Sequence, residues 1–149
     1  MNGVQIRLVQ DSFRQVAPMA EAAAGLFYAR LFELDPDLRS LFKSDMSEQG
    51  RRLMQMLGLA VKSLDRPEQL LPAVRALGAR HAAYGVREEH YDTVWRALLW
   101  TLGQGLGDAF TPEVEAAWAE VYAALAAAMQ GGAVLGPQAL APANAHPRA

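Results

Sequence analysis

Few side chains in this 149-residue chain combine reactivity with a position that would use it, and His81 is the first of them. Leu70, Val74, Leu77 and His81 succeed one another at spacings of four, three and four, so on a helix the imidazole shares an apolar face. A buried imidazole needs partners for both nitrogens, and the best ones are a backbone carbonyl, another polar side chain or a metal. The pattern recurs twice. Gln49 heads a stripe of Leu53, Met56, Leu57, Ala60 and Leu64, and Tyr28 lies on a stripe with Ala24, Phe27 and Leu31. An imidazole, an amide and a phenol then project from three helices into an apolar interior. That donor set suits a large, flat, apolar cofactor whose metal takes one histidine while the phenol and amide stand opposite.

Other chemistries find less support. The chain has three histidines and no cysteine, so thiolate metal sites, disulfides and cysteine nucleophiles are excluded. No serine or carboxylate is placed beside a histidine in the manner of a triad. His81 and His90 fall on different helices without a second ligand at helical spacing, which argues against a protein-only zinc site. Phosphate-binding glycine loops are absent. Commoner roles stay open for each residue taken alone: a satisfied core histidine for His81, a core aromatic for Tyr28, a solvated first-turn residue for Gln49. His90 reads as a first-turn boundary residue, Trp95, Trp100 and Trp118 as packing, and Arg51-Arg52 as a solvated face.

The elements that must position these groups are all helical, since no segment alternates with period two. Ile6, Val9, Phe13 and Val16 predict a first helix ending near Ala17-Pro18. A second runs from about Pro18 to Leu34, with Ala24 small enough to admit another helix closely. Asp35-Pro36 reads as a cap and a first-turn proline, starting a short turn that Phe42 closes. Asp45 or Ser47 caps a third long helix after a polar link from Lys43. Asp65-Arg66-Pro67 breaks the chain before the helix of His81, which ends at Tyr84-Gly85 on a glycine suited to a left-handed terminus. Glu88 to Leu106 forms the next helix, with Tyr91, Val94, Trp95, Leu98 and Leu102 inward. Thr111-Pro112 starts the last one, which reaches about Gln130. The expected architecture is all-α, six to seven helices, with one domain over 1–131 and an Ala/Gly/Pro-rich flexible tail over 132–149 that contains His146.

Composition sets the outer bounds. With 52% apolar and 20% charged residues, the chain is globular and can bury roughly 70% of its unfolded surface. A net charge of −2 offers nucleic acid and anionic membranes little attraction. Neither a signal peptide nor a membrane span is visible in the sequence, and a cytoplasmic location is the expectation.

Phe27-Tyr28, Leu31-Phe32, Asp35-Pro36, Leu41-Phe42, Gln49 with Leu53, and His81-x-x-Tyr84-Gly85-Val86 with Tyr91 together resemble a bacterial single-domain globin. The resemblance spans roughly residues 5–130 and is closest to the Hell's Gate type, related to the haem domain of flavohaemoglobins. It implies a globin fold around haem b, with His81 as the proximal iron ligand and Arg80 beside a propionate. Phe42 would stack on the haem and Pro36 would turn the chain toward it. Tyr28 and Gln49 become the distal donors, Leu53 and Leu57 line the same side, and Val86, Tyr91 and Val94 border the proximal or edge region.

Dioxygen, carbon monoxide and nitric oxide are the implied ligands. A dioxygen ligand there would carry partial negative charge, which a phenol at hydrogen-bond distance stabilises by roughly 1.5–3 kcal/mol. The implied function is reversible gas binding, for delivery, storage or sensing; the alternative is nitric oxide dioxygenation. Turnover in that second case calls for a separate reductase, as the chain leaves no room for a flavin or nicotinamide domain. A helical interaction module without a cofactor is the third possibility.

Two features depart from the flavohaemoglobin pattern. A glutamate there completes a proximal network with the histidine and a tyrosine like Tyr91, whereas no acidic residue follows Glu120 here. The matching stretch is Met129-Gln130-Gly131-Gly132-Ala133, so the electron push on iron should be weaker and peroxidase-like cleavage is not expected. The link from Phe42 to Gln49 is also shorter, so Gln55 or Glu48 replaces Gln49 if that helix begins later.

Overall fold

Most helix starts coincide with the capping residues. The computed structural model describes residues 2–42 and 45–131, and the described residues form six α-helices joined by short links. They are α1 (Gly3–Val16), α2 (Ala20–Leu34), α3 (Met46–Lys62), α4 (Pro67–Ala83), α5 (Glu88–Leu106) and α6 (Pro112–Met129). The tail expected over 132–149, with His146, lies outside the described residues, as do Lys43 and Ser44 of the polar link.

Asp45 accepts from the Ser47 amide to start α3, and Thr111 accepts from the Val114 amide to start α6. Asp35 accepts from the Asp37 amide and opens a 3-10 turn over Pro36–Leu41. Two boundaries differ from the periodicity. The first helix begins at Gly3 because Asn2 and Gln5 exchange hydrogen bonds in a capping box. Pro18 sits in a 3-10 turn, Ala17–Met19, so α2 begins only at Ala20. Gly85 does end the helix of His81, with φ of +102°, a conformation that disfavours any side chain.

Packing sorts the helices into two groups. α1 lies on α6, and their contact buries Val9, Trp118 and Val121 almost completely. Within it the Trp118 indole N–H donates to the Ser12 hydroxyl at 2.9 Å, satisfying both polar groups in an apolar setting. α2 packs on α5 and α3. A methyl built on Gly50 would lie 3.0 Å from the Ala24 Cβ, so the close approach expected at Ala24 is made, and made against Gly50 of α3.

α4 rests on α6 and makes no comparable packing with α3 or α5 among the described residues. The seat is tight: a Cβ on Gly78 would overlap the Met129 backbone carbonyl. Leu53 and Leu57 of α3, Leu77 of α4 and Val94 of α5 stay half-buried despite their inward positions. No helix among the described residues is long and apolar enough to cross a membrane.

Candidate functional site

His81 occupies the last turn of α4, half-buried, with its Nδ1 2.9 Å from the Leu77 carbonyl oxygen. A carbonyl only accepts, so Nδ1 carries the hydrogen and Nε2 keeps its lone pair. That is the tautomer a metal-binding imidazole needs, with ring orientation fixed by the second nitrogen. Burial lowers the His81 pKa and the neighbouring Arg80 charge lowers it further, against the Leu77 bond, which raises it. Both lowering effects favour the neutral ring that can coordinate. The Val86 amide donates to the His81 carbonyl at 3.0 Å and ties the following corner to the same turn. Arg80 is exposed.

Behind this turn, the Tyr122 hydroxyl donates to the Tyr91 carbonyl at 2.6 Å and its ring packs on Trp95 with centroids 5.2 Å apart. This bond anchors the start of α5 to α6 and holds the Tyr91 backbone in place. Its donor lies far along the chain in a region of alanines, where periodicity marks only another core position. His90, expected at the boundary, uses Nδ1 to accept from the Arg87 amide at 2.9 Å, closing the first turn of α5. Val86 and His90 also line a cavity of about 470 Å³ between the Pro36–Leu41 turn and the corner after α4.

A second group of candidate residues is aromatic. The Tyr28 ring meets Phe27 edge-on at 5.0 Å and Phe42 edge-on at 5.3 Å, and stacks on Phe32 at 6.0 Å. Leu53 and Val94 join the same cluster, so four expected site residues, Tyr28, Phe42, Leu53 and Val94, come together. Burial pushes the Tyr28 phenol up to about 12, which keeps it an O–H donor at any physiological pH. Gln49 lies half-buried one turn before Leu53 on the same face. Of the two alternatives to it, Glu48 turns outward to pair with Arg52 at 2.8 Å. Gln55 is exposed and lines a groove on the far side of α3.

Among the described residues no group of three or more histidine or carboxylate side chains could hold a metal. The candidate residues supply a single half-buried imidazole, a phenol raised in pKa by burial and aliphatic side chains. This donor set fits a metal that arrives within a flat apolar macrocycle supplying its other ligands.

The buried phenols have a measurable consequence at high pH. Tyr28 and Tyr122 are both raised by burial above the unfolded value of 10.0. The folded state thus holds these protons more tightly, and that stabilisation is full below pH 10 and lost as pH rises toward 12. The chain should unfold within that window, with phenolate absorbance and loss of helical dichroism rising together. Replacing both tyrosines by phenylalanine should move the transition to higher pH; an unmoved transition would mean other groups drive it.

The globin family profile matches residues 25–129 of this chain. A flavohemoprotein of Rhodopirellula baltica is 34% identical over 142 residues, covering 92% of this chain and 35% of that protein. The chain spans about a third of the length of the curated relatives it matches. Among solved structures, an engineered carbene transferase built on a protein assigned as a nitric oxide dioxygenase of Rhodothermus marinus is 32% identical. It superposes with a TM-score of 0.75 over 85% of this chain and 88% of its own. A hexacoordinated haem protein from a tardigrade shares the fold at a TM-score of 0.79 and 18% identity, over 87% and 92% of the two chains.

Proposed function

The chain belongs to the globin family, and from that premise we propose that it holds haem b between α3 and α4 through His81 and reversibly binds dioxygen, carbon monoxide and nitric oxide. The observation that carries this reading is the His81 ring, held by Leu77 in the tautomer that leaves Nε2 free to coordinate. Haem, when bound, supplies the iron at which a diatomic gas is taken up. Everything else falls to side chains of this chain. Phe42, Leu53, Leu57 and Val94 offer apolar surface to the macrocycle and exclude water from its faces. Arg80 at the edge offers a charge partner for a propionate. Tyr28 donates a hydrogen bond to the gas, and Gln49 orients that phenol or donates a second bond.

Tyr28→Phe tests the reading. Loss of one hydrogen bond worth roughly 1 kcal/mol or more speeds dioxygen release by about fivefold or more. Stopped-flow displacement by carbon monoxide measures it, and an unchanged off-rate would remove Tyr28 from the role. A chain that shows no Soret band after expression with ample haem would instead be a cofactor-free helical module.

A second reading is favoured by the Rhodothermus marinus relative assigned as a nitric oxide dioxygenase. In that reaction nitric oxide, dioxygen and one electron give nitrate, so turnover draws its electron from a reductase. Mixing nitric oxide with the ferrous protein under oxygen, with and without a flavin reductase and its nicotinamide donor, separates the two. Sustained nitrate formation supports catalysis, whereas a single turnover supports gas binding.

A further inference from the structure

A cavity of about 840 Å³ lies beside the crossing of α2 and α3, within the size range of small-molecule sites. Small residues form its α2 side, Ala20, Ala24, Gly25 and Ala29, and a Cβ built on Gly25 meets no atom within 4 Å. A flat group can therefore lie directly against the helix backbone. Larger side chains complete the trough: the rings of Phe13, Tyr28 and Phe32 and the thioethers of Met46 and Met54. Such groups favour an aromatic guest, which they meet edge-on, offset-stacked or through sulfur.

The trough also carries cations without matching anions. Arg39 and Arg51 border it, against Glu21 alone. Arg39 is held in place: its Nη1 donates to the Phe42 carbonyl at 3.1 Å, and its guanidinium lies 5.7 Å from the Phe32 ring centroid. Its remaining N–H groups have no acceptor among the described residues. Arg51 makes neither an ion pair nor a hydrogen bond among them, while the neighbouring Arg52 takes Glu48 at 2.8 Å. Ser47, one turn before Arg51 on the same face of α3, borders the trough with an unused hydroxyl. Glu21 stands in the first turn of α2, whereas the Phe32 ring under Arg39 stands in the last, so the carboxylate is at the far end from that guanidinium.

We propose that the trough binds a small aromatic carboxylate, with the carboxylate paired to Arg39 and Arg51 and the ring laid over Gly25 and Ala29. A guanidinium already fixed in place, with N–H groups to spare, recognises a carboxylate through two parallel hydrogen bonds. The apolar floor takes the body of the ligand out of water. This site goes beyond the gas-binding function and does not depend on it.

Isothermal titration calorimetry of the full chain with naphthoate tests the proposal, with naphthalenemethanol as the uncharged analogue and decanoate as the flexible one. Naphthoate should bind at one site per chain, and Arg39→Gln and Arg51→Gln should each weaken it by about fivefold or more. The alcohol should bind more weakly than naphthoate by a similar factor, and Gly25→Trp, which fills the trough, should abolish binding. Arg51 is exposed and bonded to no described residue, and the space over Gly25 is open, so these two variants keep the fold, as circular dichroism will verify. Absence of saturable binding at millimolar naphthoate overturns the site. Affinity unchanged in either arginine variant, or in Gly25→Trp, overturns it as well, since the ligand then sits elsewhere. The alcohol or decanoate binding as tightly as naphthoate overturns the aromatic carboxylate as its ligand.

Discussion

His81→Ala is expected to abolish proximal ligation: the ferrous spectrum of a histidine-bound haem disappears, and haem passes to a scavenger far faster than from wild type. The magnitude follows from what is removed. Losing a partner that merely orients a metal-bound histidine costs about 10–100-fold in affinity, so losing the ligand itself should exceed that range. His81→Gly opens space for free imidazole, which should restore the histidine-like spectrum and slow haem loss. Rescue by imidazole distinguishes a missing ligand from a damaged helix, because a small base cannot repair α4. A ferrous spectrum unaltered in His81→Ala would refute the assignment.

Gly78→Ala should be the most damaging conservative change in the chain. Two effects of opposite sign compete. Replacing a helix-interior glycine by alanine favours the helix by about 1 kcal/mol. The new methyl, however, overlaps the Met129 carbonyl, a backbone atom held by α6, so one helix must move off the other. Overpacking of that kind costs typically 1–3 kcal/mol and more where the neighbour cannot yield. The clash should win by roughly 2 kcal/mol, lowering Tm by about 5 °C in a domain of this size. His81 lies three residues further along α4, so the displaced helix carries the imidazole with it. Haem loss should quicken along with the drop in Tm, and a variant as stable as wild type would show that α4 does not seat against Met129.

Local chemistry made much of this architecture legible. Asp45, Thr111 and Asp35 announce helix starts through side-chain oxygens that bond amides two or three residues on, and such signals need no tertiary contact. Tyr28 and Leu53 likewise declared their faces by spacing and do meet in one cluster. The register of Gln49 could not be settled by spacing, because a short link permits more than one helix start. In the fold Glu48 pairs outward with Arg52, and Gln49 shares a face with Leu53. The bonds from Trp118 to Ser12 and from Tyr122 to Tyr91 gave no warning, since 106 and 31 residues separate the partners. Gly78 did leave a clue: a glycine four residues after Val74, beside an apolar stripe, weakens a helix unless something must approach its backbone.

The pairing of the first helix with the last bears on how the chain is made. Ser12 of α1 finds its partner on α6, whose Trp118 is synthesised more than a hundred residues later. A ribosome adding about 5–20 residues per second leaves α1 without its main neighbour for several seconds. α2, α3 and α5, which carry Tyr28, Gln49 and Val94, can associate earlier, with α1 held meanwhile only by its smaller contacts on α3 and α5. Arrival of α6 then closes the core and gives α4 its seat, so the helix that carries His81 meets its main neighbour only when the last helix has been made.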